Sequence, residues 1–81
     1  MVTIVGICLP QRIETASLFQ EILSKYGCYI RTRLGIHNLE NSICAPDGVI
    51  ILDVVADNDV IESMSSELRK IESLKLEIMY L

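Results

Sequence analysis

The sequence predicts an α+β domain in which a four-stranded antiparallel sheet carries two helices on one side. Three patterns predict it. Residues 2–9 and 47–57 are apolar at both strand parities, as central strands covered on both faces are. Residues 12–26 and the segment after Asp57 place their apolar side chains at helical spacing, each making one buried stripe. Residues 28–36 and 74–81 alternate, as half-buried strands do.

In chain order, the first strand is relieved only by Thr3 and Gly6 and closes at Pro10, which supplies no ladder donor. In the first helix Ala16, Phe19, Ile22, Leu23 and Tyr26 share a side, and Gly27 is read as its terminator. In the second strand Cys28, Ile30, Thr32, Leu34 and Ile36 share one face, and Tyr29, Arg31, Arg33 and Gly35 the other. Residues 37–46 form a long loop, a length often associated with function. The third strand is the β-branched run Val49-Ile50-Ile51-Leu52 and its neighbours.

Asp59 and Glu62 have capping-box spacing at the start of the second helix. Its stripe is Val60, Ile61, Met64, Leu68 and Ile71. In the last strand Leu74, Leu76, Ile78 and Tyr80 oppose Lys75, Glu77 and Met79. The order is therefore β-α-β-β-α-β, the ferredoxin-like split βαβ arrangement, as a single domain over residues 1–81. Strands apolar on both faces belong in the middle, so the predicted spatial order is 4-1-3-2.

Two helices cover one side of such a sheet, which leaves apolar residues on the other. At 81 residues the chain is 51% hydrophobic, and large exposed apolar patches mark contacts. A second copy of the chain is the expected cover, giving a dimer or tetramer through Val49, Ile51, Asp53 and Val55. Asp53 is the one charge within that run, and an isolated buried carboxylate is costly. Arg31 or Arg33 on the neighbouring strand would pair with it on the helix-free face, with Arg31 preferred; simple exposure of Asp53 stands level with that reading.

Composition excludes several functions. The net charge is −4 and the sequence pI about 4.8, against nucleic-acid binding, where phosphate neutralisation supplies the affinity. Three cysteines without C-x-x-C point to a reducing compartment. With neither a leader pattern nor a membrane-length apolar run, the expected setting is soluble and cytoplasmic. No nucleophile elbow, phosphate loop or dinucleotide fingerprint occurs, so no enzyme and no cofactor are expected. Cys8 and Cys28 read as structural thiols. His37 and Cys44 are metal-ligand types, but two ligands without a compact motif do not complete a site; a solvated histidine and a half-buried thiol are the preferred reading.

Val5-Gly6-Ile7, Ile22-Leu23-Ser24-Lys25-Tyr26-Gly27, Arg33-Leu34-Gly35-Ile36 and Gly48-Val49-Ile50-Ile51 leading to Asp57 carry a resemblance over nearly the whole chain. It resembles the ACT-like regulatory modules, and more closely the small stand-alone proteins described as iron-only hydrogenase system regulators. These are related to the C-terminal domain of the nickel-responsive repressor. The resemblance implies a non-enzymatic, oligomeric regulator whose effector binds at a subunit boundary near the first strand-to-helix turn. Here that places Pro10, Gln11, Arg12, Arg33, Gly35 and His37 in the candidate effector set.

The glycine common at that turn in amino-acid-binding members is absent. The repressor's DNA-binding arm and nickel-binding histidine cluster are absent too, with Gly48 where its metal-binding cysteine would fall. The leading expectation is a homo-oligomeric regulatory module that binds a small effector and signals to a protein partner. A ligand-free docking scaffold and a metal sensor using His37 and Cys44 are the alternatives.

Overall fold

The computed structural model describes residues 2–10, 13–37 and 47–81. Strand β1 (Thr3–Pro10) leads into helix α1 (Ile13–Lys25), a 3-10 turn (Gly27–Tyr29) and strand β2 (Ile30–His37). Strand β3 (Asp47–Val54), helix α2 (Asn58–Arg69) and strand β4 (Lys75–Tyr80) follow. The strands form one antiparallel sheet in the order β2-β3-β1-β4, the predicted 4-1-3-2 seen from the other edge. No helix among the described residues is long and apolar enough to cross a membrane.

Strand parity divides the sheet into two faces. Val5, Ile7 and Leu9 of β1, Leu52 and Val54 of β3 and Leu76 of β4 are buried on the helix side. Phe19, Ile22 and Leu23 of α1 and Ile61, Met64 and Leu68 of α2 complete that core. Register fixes the division, because directly opposed residues share a face: Val5 lies between Leu52 and Ile78, and Ile7 between Ile50 and Leu76. Ile4, Gly6 and Cys8 fall on the other face and are only half-buried.

Three local features differ from the sequence reading. Gly27 has no positive φ; the chain leaves α1 by tightening into the 3-10 turn, where Tyr29 N–H donates to Tyr26 O at 3.0 Å. The capping box is not formed. Asp57 is the N-cap of α2 and makes no side-chain cap bond, while its carbonyl accepts from Val60 and Ile61 N–H.

The third difference is a register shift in β2 between Ile30 and Thr32. A bulge of this kind sets two residues opposite one, here Arg31 and Thr32 opposite Asp53. It breaks the expected uniform alternation. Ile30 opposes Val54 and packs on the core, whereas Thr32 and Leu34 oppose Asp53 and Ile51 on the helix-free face. Arg33 and Gly35, opposite Leu52 and Ile50, move to the helix side.

Ser65 lies in the buried stripe of α2, 3% exposed, and its Oγ has no hydrogen-bond partner among the described residues. A buried hydroxyl without a partner carries a desolvation penalty of roughly 1–3 kcal/mol, and alanine is the better helix former. Ser65→Ala is therefore expected to stabilise the domain by about 1 kcal/mol. A thermal melt should show this as a rise of roughly 4–8 °C.

Candidate functional site

The helix-free face is built from three rows of side chains set by register. Ile4 stands between Asp53 and Met79, Gly6 between Ile51 and Glu77, and Cys8 between Val49 and Lys75. Thr32 and Leu34 extend the first two rows onto β2. Leu34 and Met79 are more than half exposed, and Val49 is 39% exposed. Val55, also exposed, lies just past the end of β3, where its N–H donates to Tyr29 O at 2.8 Å.

Two features of this face lack a completing partner among the described residues. Arg31 Nε donates to Asp53 Oδ2 at 2.7 Å, an interaction that raises the arginine pKa further. The other carboxylate oxygen, Oδ1, is buried and has no partner among the described residues. Beside the pair, Gly6 forms the floor of an apolar hollow of about 320 Å³, walled by Cys8, Val49 and Ile51 and rimmed by Lys75 and Glu77. A Cβ on Gly6 would meet only Glu77 O, at 4.0 Å. Packing inside the chain therefore does not call for glycine there. Arg31 and Lys75 balance Asp53 and Glu77 on this face, although the chain as a whole carries −4.

Among the described residues, the candidate effector positions fall in two places. Gln11 and Arg12 lie outside the described residues, as does Cys44 of the metal alternative. Pro10 and His37 are described as the last backbone positions of β1 and β2. Both sit at the sheet end where Asp47 and Gly48 begin β3. Arg33 points elsewhere. It lies over the Phe19 ring, 5.7 Å from the centroid, and its Nη1 donates to Gln20 Oε1 at 3.0 Å. It borders a recess of about 220 Å³ with Gln20, Leu23, Ser24, Gly27 and Ile30. Gln20, Ser24 and Gly27 were not in the sequence-derived set. The four-residue spacing of Gln20 and Ser24 on α1, with Gly27 three further on in the 3-10 turn, is the signal that could have found them, since residues three and four apart share a helix face.

A third cluster ties the helices together. Lys25 Nζ contacts both oxygens of Glu67 at 3.1 and 3.0 Å, and the Tyr26 hydroxyl donates to Glu67 Oε2. The tyrosine hydrogen bond, then the lysine, holds Glu67 below the usual carboxylate range, and the same bond raises Tyr26. The adjoining open trough between α1 and α2 is lined by Asp59, Glu62, Ser63 and Ser66. No group of three or more metal-ligand side chains occurs among the described residues.

A family model described as "TM1266-like: Iron-only hydrogenase system regulator, putative" matches residues 1–77. No curated protein matches the chain. The solved structure of the uncharacterized protein TM1266 from Thermotoga maritima superposes with a TM-score of 0.84 at 23% identity, covering 96% of this chain and 92% of that one. A formyltetrahydrofolate deformylase from Pseudomonas putida KT2440 superposes with a TM-score of 0.64 at 10% identity; all of this chain corresponds to 29% of that enzyme. A dimeric ferredoxin-like protein of unknown function from Thermobifida fusca YX matches at a TM-score of 0.49 and 12% identity, over 99% and 92% of the two chains. At these identities the first two likenesses speak to the fold.

Proposed function

The chain belongs to the TM1266-like family of iron-only hydrogenase system regulators, and from that membership we propose a non-enzymatic regulatory module that works as a homo-oligomer. Two copies associate through their helix-free sheet faces, a small effector binds at a subunit boundary, and the state of the assembly is passed to a protein partner. The observation that carries this reading is the unfinished face itself: apolar rows, a hollow over Gly6 and a buried Asp53 oxygen without a donor among the described residues.

Physical arguments favour a second copy as the cover. The four strands at ~4.8 Å spacing and ~3.3 Å per residue present roughly 500 Å² in projection. That is of the same order as the ~800 Å² of accessible surface each partner buries in a standard interface. The face is charge-balanced, so a two-fold arrangement can set Lys75 and Arg31 of one copy toward Glu77 and Asp53 of the other. A donor from the partner would complete Asp53 Oδ1, which matters more for register than for net stability.

The expected solution mass, by light scattering at micromolar concentration, is twice that of one chain or a higher even multiple. Ligand binding to that native assembly raises its melting temperature by mass action. A panel of amino acids, carboxylic acids, nucleotides and divalent metals is therefore expected to contain at least one stabilising compound. A single-chain mass removes the proposal. A multimer that no compound stabilises reduces it to a docking scaffold.

A further inference from the structure

We infer that the recess between the C-terminal half of α1 and β2 is a binding site for a small carboxylate with a short apolar tail, held by Arg33. This rests on the reading above that the module binds a small effector, gives that effector a ligand class, and places it on the helix side of the sheet, away from the face through which copies would associate. Acids outnumber bases by 11 to 7, yet no carboxylate pairs with Arg33 among the described residues. Arg33 shares this lack with Arg69, Lys70 and Lys75, and differs from them in being held by a side-chain amide and an aromatic ring. Neutral groups hold it instead: Gln20 Oε1 accepts from Nη1 at 3.0 Å, and the Phe19 ring lies 5.7 Å from the guanidinium carbon. The guanidinium is thus oriented by two partners, and no carboxylate among the described residues neutralises it. Its planar fork suits a carboxylate.

The rest of the recess suits the remainder of such a ligand. Because Gln20 Oε1 is turned to Arg33, its Nε2 is left as a donor, and the Ser24 hydroxyl stands one turn further along α1. Leu23 and Ile30 supply apolar lining. At about 220 Å³ the recess is smaller than the ~300–1,000 Å³ clefts that hold drug-sized ligands. An acid the size of an aliphatic amino acid or shorter is the match. Gly27 lines it without a steric need for glycine: its φ is not positive, and a Cβ there would meet nothing within 4 Å. A side chain at 27 would enter the space the ligand tail needs.

The test is titration of the full chain with 4-methylpentanoate, followed residue by residue by amide NMR. The amides of Ser24, Gly27 and Ile30 are expected to move together. Removing the charge, with 4-methylpentanamide as probe or with Arg33→Met, should weaken binding about 10–100-fold, the range for a charge-assisted hydrogen bond. Gly27→Ala should weaken binding with an unchanged melting temperature, and the larger Gly27→Val should weaken it further. Equal binding of inorganic phosphate, or binding indifferent to both Arg33→Met and Gly27→Ala, overturns the assignment. If amino acids or nucleotides instead move amides only outside the recess, this site is wrong and the effector reading stands. If no probe moves any amide, both fall.

Discussion

Gly6→Leu is expected to leave each chain folded and to separate the assembly into single chains. The two halves of that statement rest on different observations. Within the chain, the nearest heavy atom to a new Cβ is Glu77 O at 4.0 Å, and β1 is extended there without positive φ. Glycine weakens a strand interior, so a side chain at this position does not destabilise the lone domain. Between chains the same side chain fills the hollow that the facing sheet would occupy. Overpacking costs about 1–3 kcal/mol per site, and a symmetric pair has two such sites. The dissociation constant should therefore rise roughly 30- to 20,000-fold. Sedimentation or light scattering across a dilution series reads this, with circular dichroism confirming the fold. A variant that stays assembled at wild-type concentrations places the subunit contact on another surface.

Leu52→Ala should have the largest effect on stability, and its neighbour Ile51 gives the contrast. Leu52 is 0% exposed and sits between Val5 of β1 and Arg33 of β2 on the helix side. Removing buried leucine atoms typically costs about 2–5 kcal/mol, including the cavity left behind. Domains this small start near the low end of the usual ~5–15 kcal/mol, so the variant loses a large share of its stability. Urea unfolding should show a much lower midpoint with an unchanged slope. Ile51, one residue earlier, faces the open side. Ile51→Ala should mainly weaken association, and its unfolding midpoint should then depend on protein concentration. Equal effects from the two substitutions would mean that the two faces are not distinct in solution.

Much of this fold was legible because periodicity reports covering. Strands 1 and 3 are apolar at both parities, and that alone put them in the middle of the sheet, as the order β2-β3-β1-β4 has it. The stripe Ile61, Met64, Leu68 and Ile71 was likewise readable from spacing and is buried. The bulge at Arg31 was not readable. Its residues alternate perfectly well as an unbroken strand, and only the register against Asp53 and Val54 reveals the extra residue. That shift sent Arg33 to the helix side and left Arg31 as the partner of Asp53. Gly27 looked like a helix terminator because glycine commonly serves as one, but a 3-10 exit needs no left-handed residue. The Arg33 recess was hidden for a related reason: its polar members sit on the exposed side of α1 and carry no motif.

The bulge also bears on how assembly is limited. β2 is an outer strand of the sheet, and an outer strand is a template on which further chains can zip into fibres. A local kink with a charged guanidinium beside it makes that template crooked and costly for a flat newcomer to desolvate. Growth by lateral strand addition at this edge is thereby discouraged, which would favour the closed, face-to-face association proposed above over open-ended polymer.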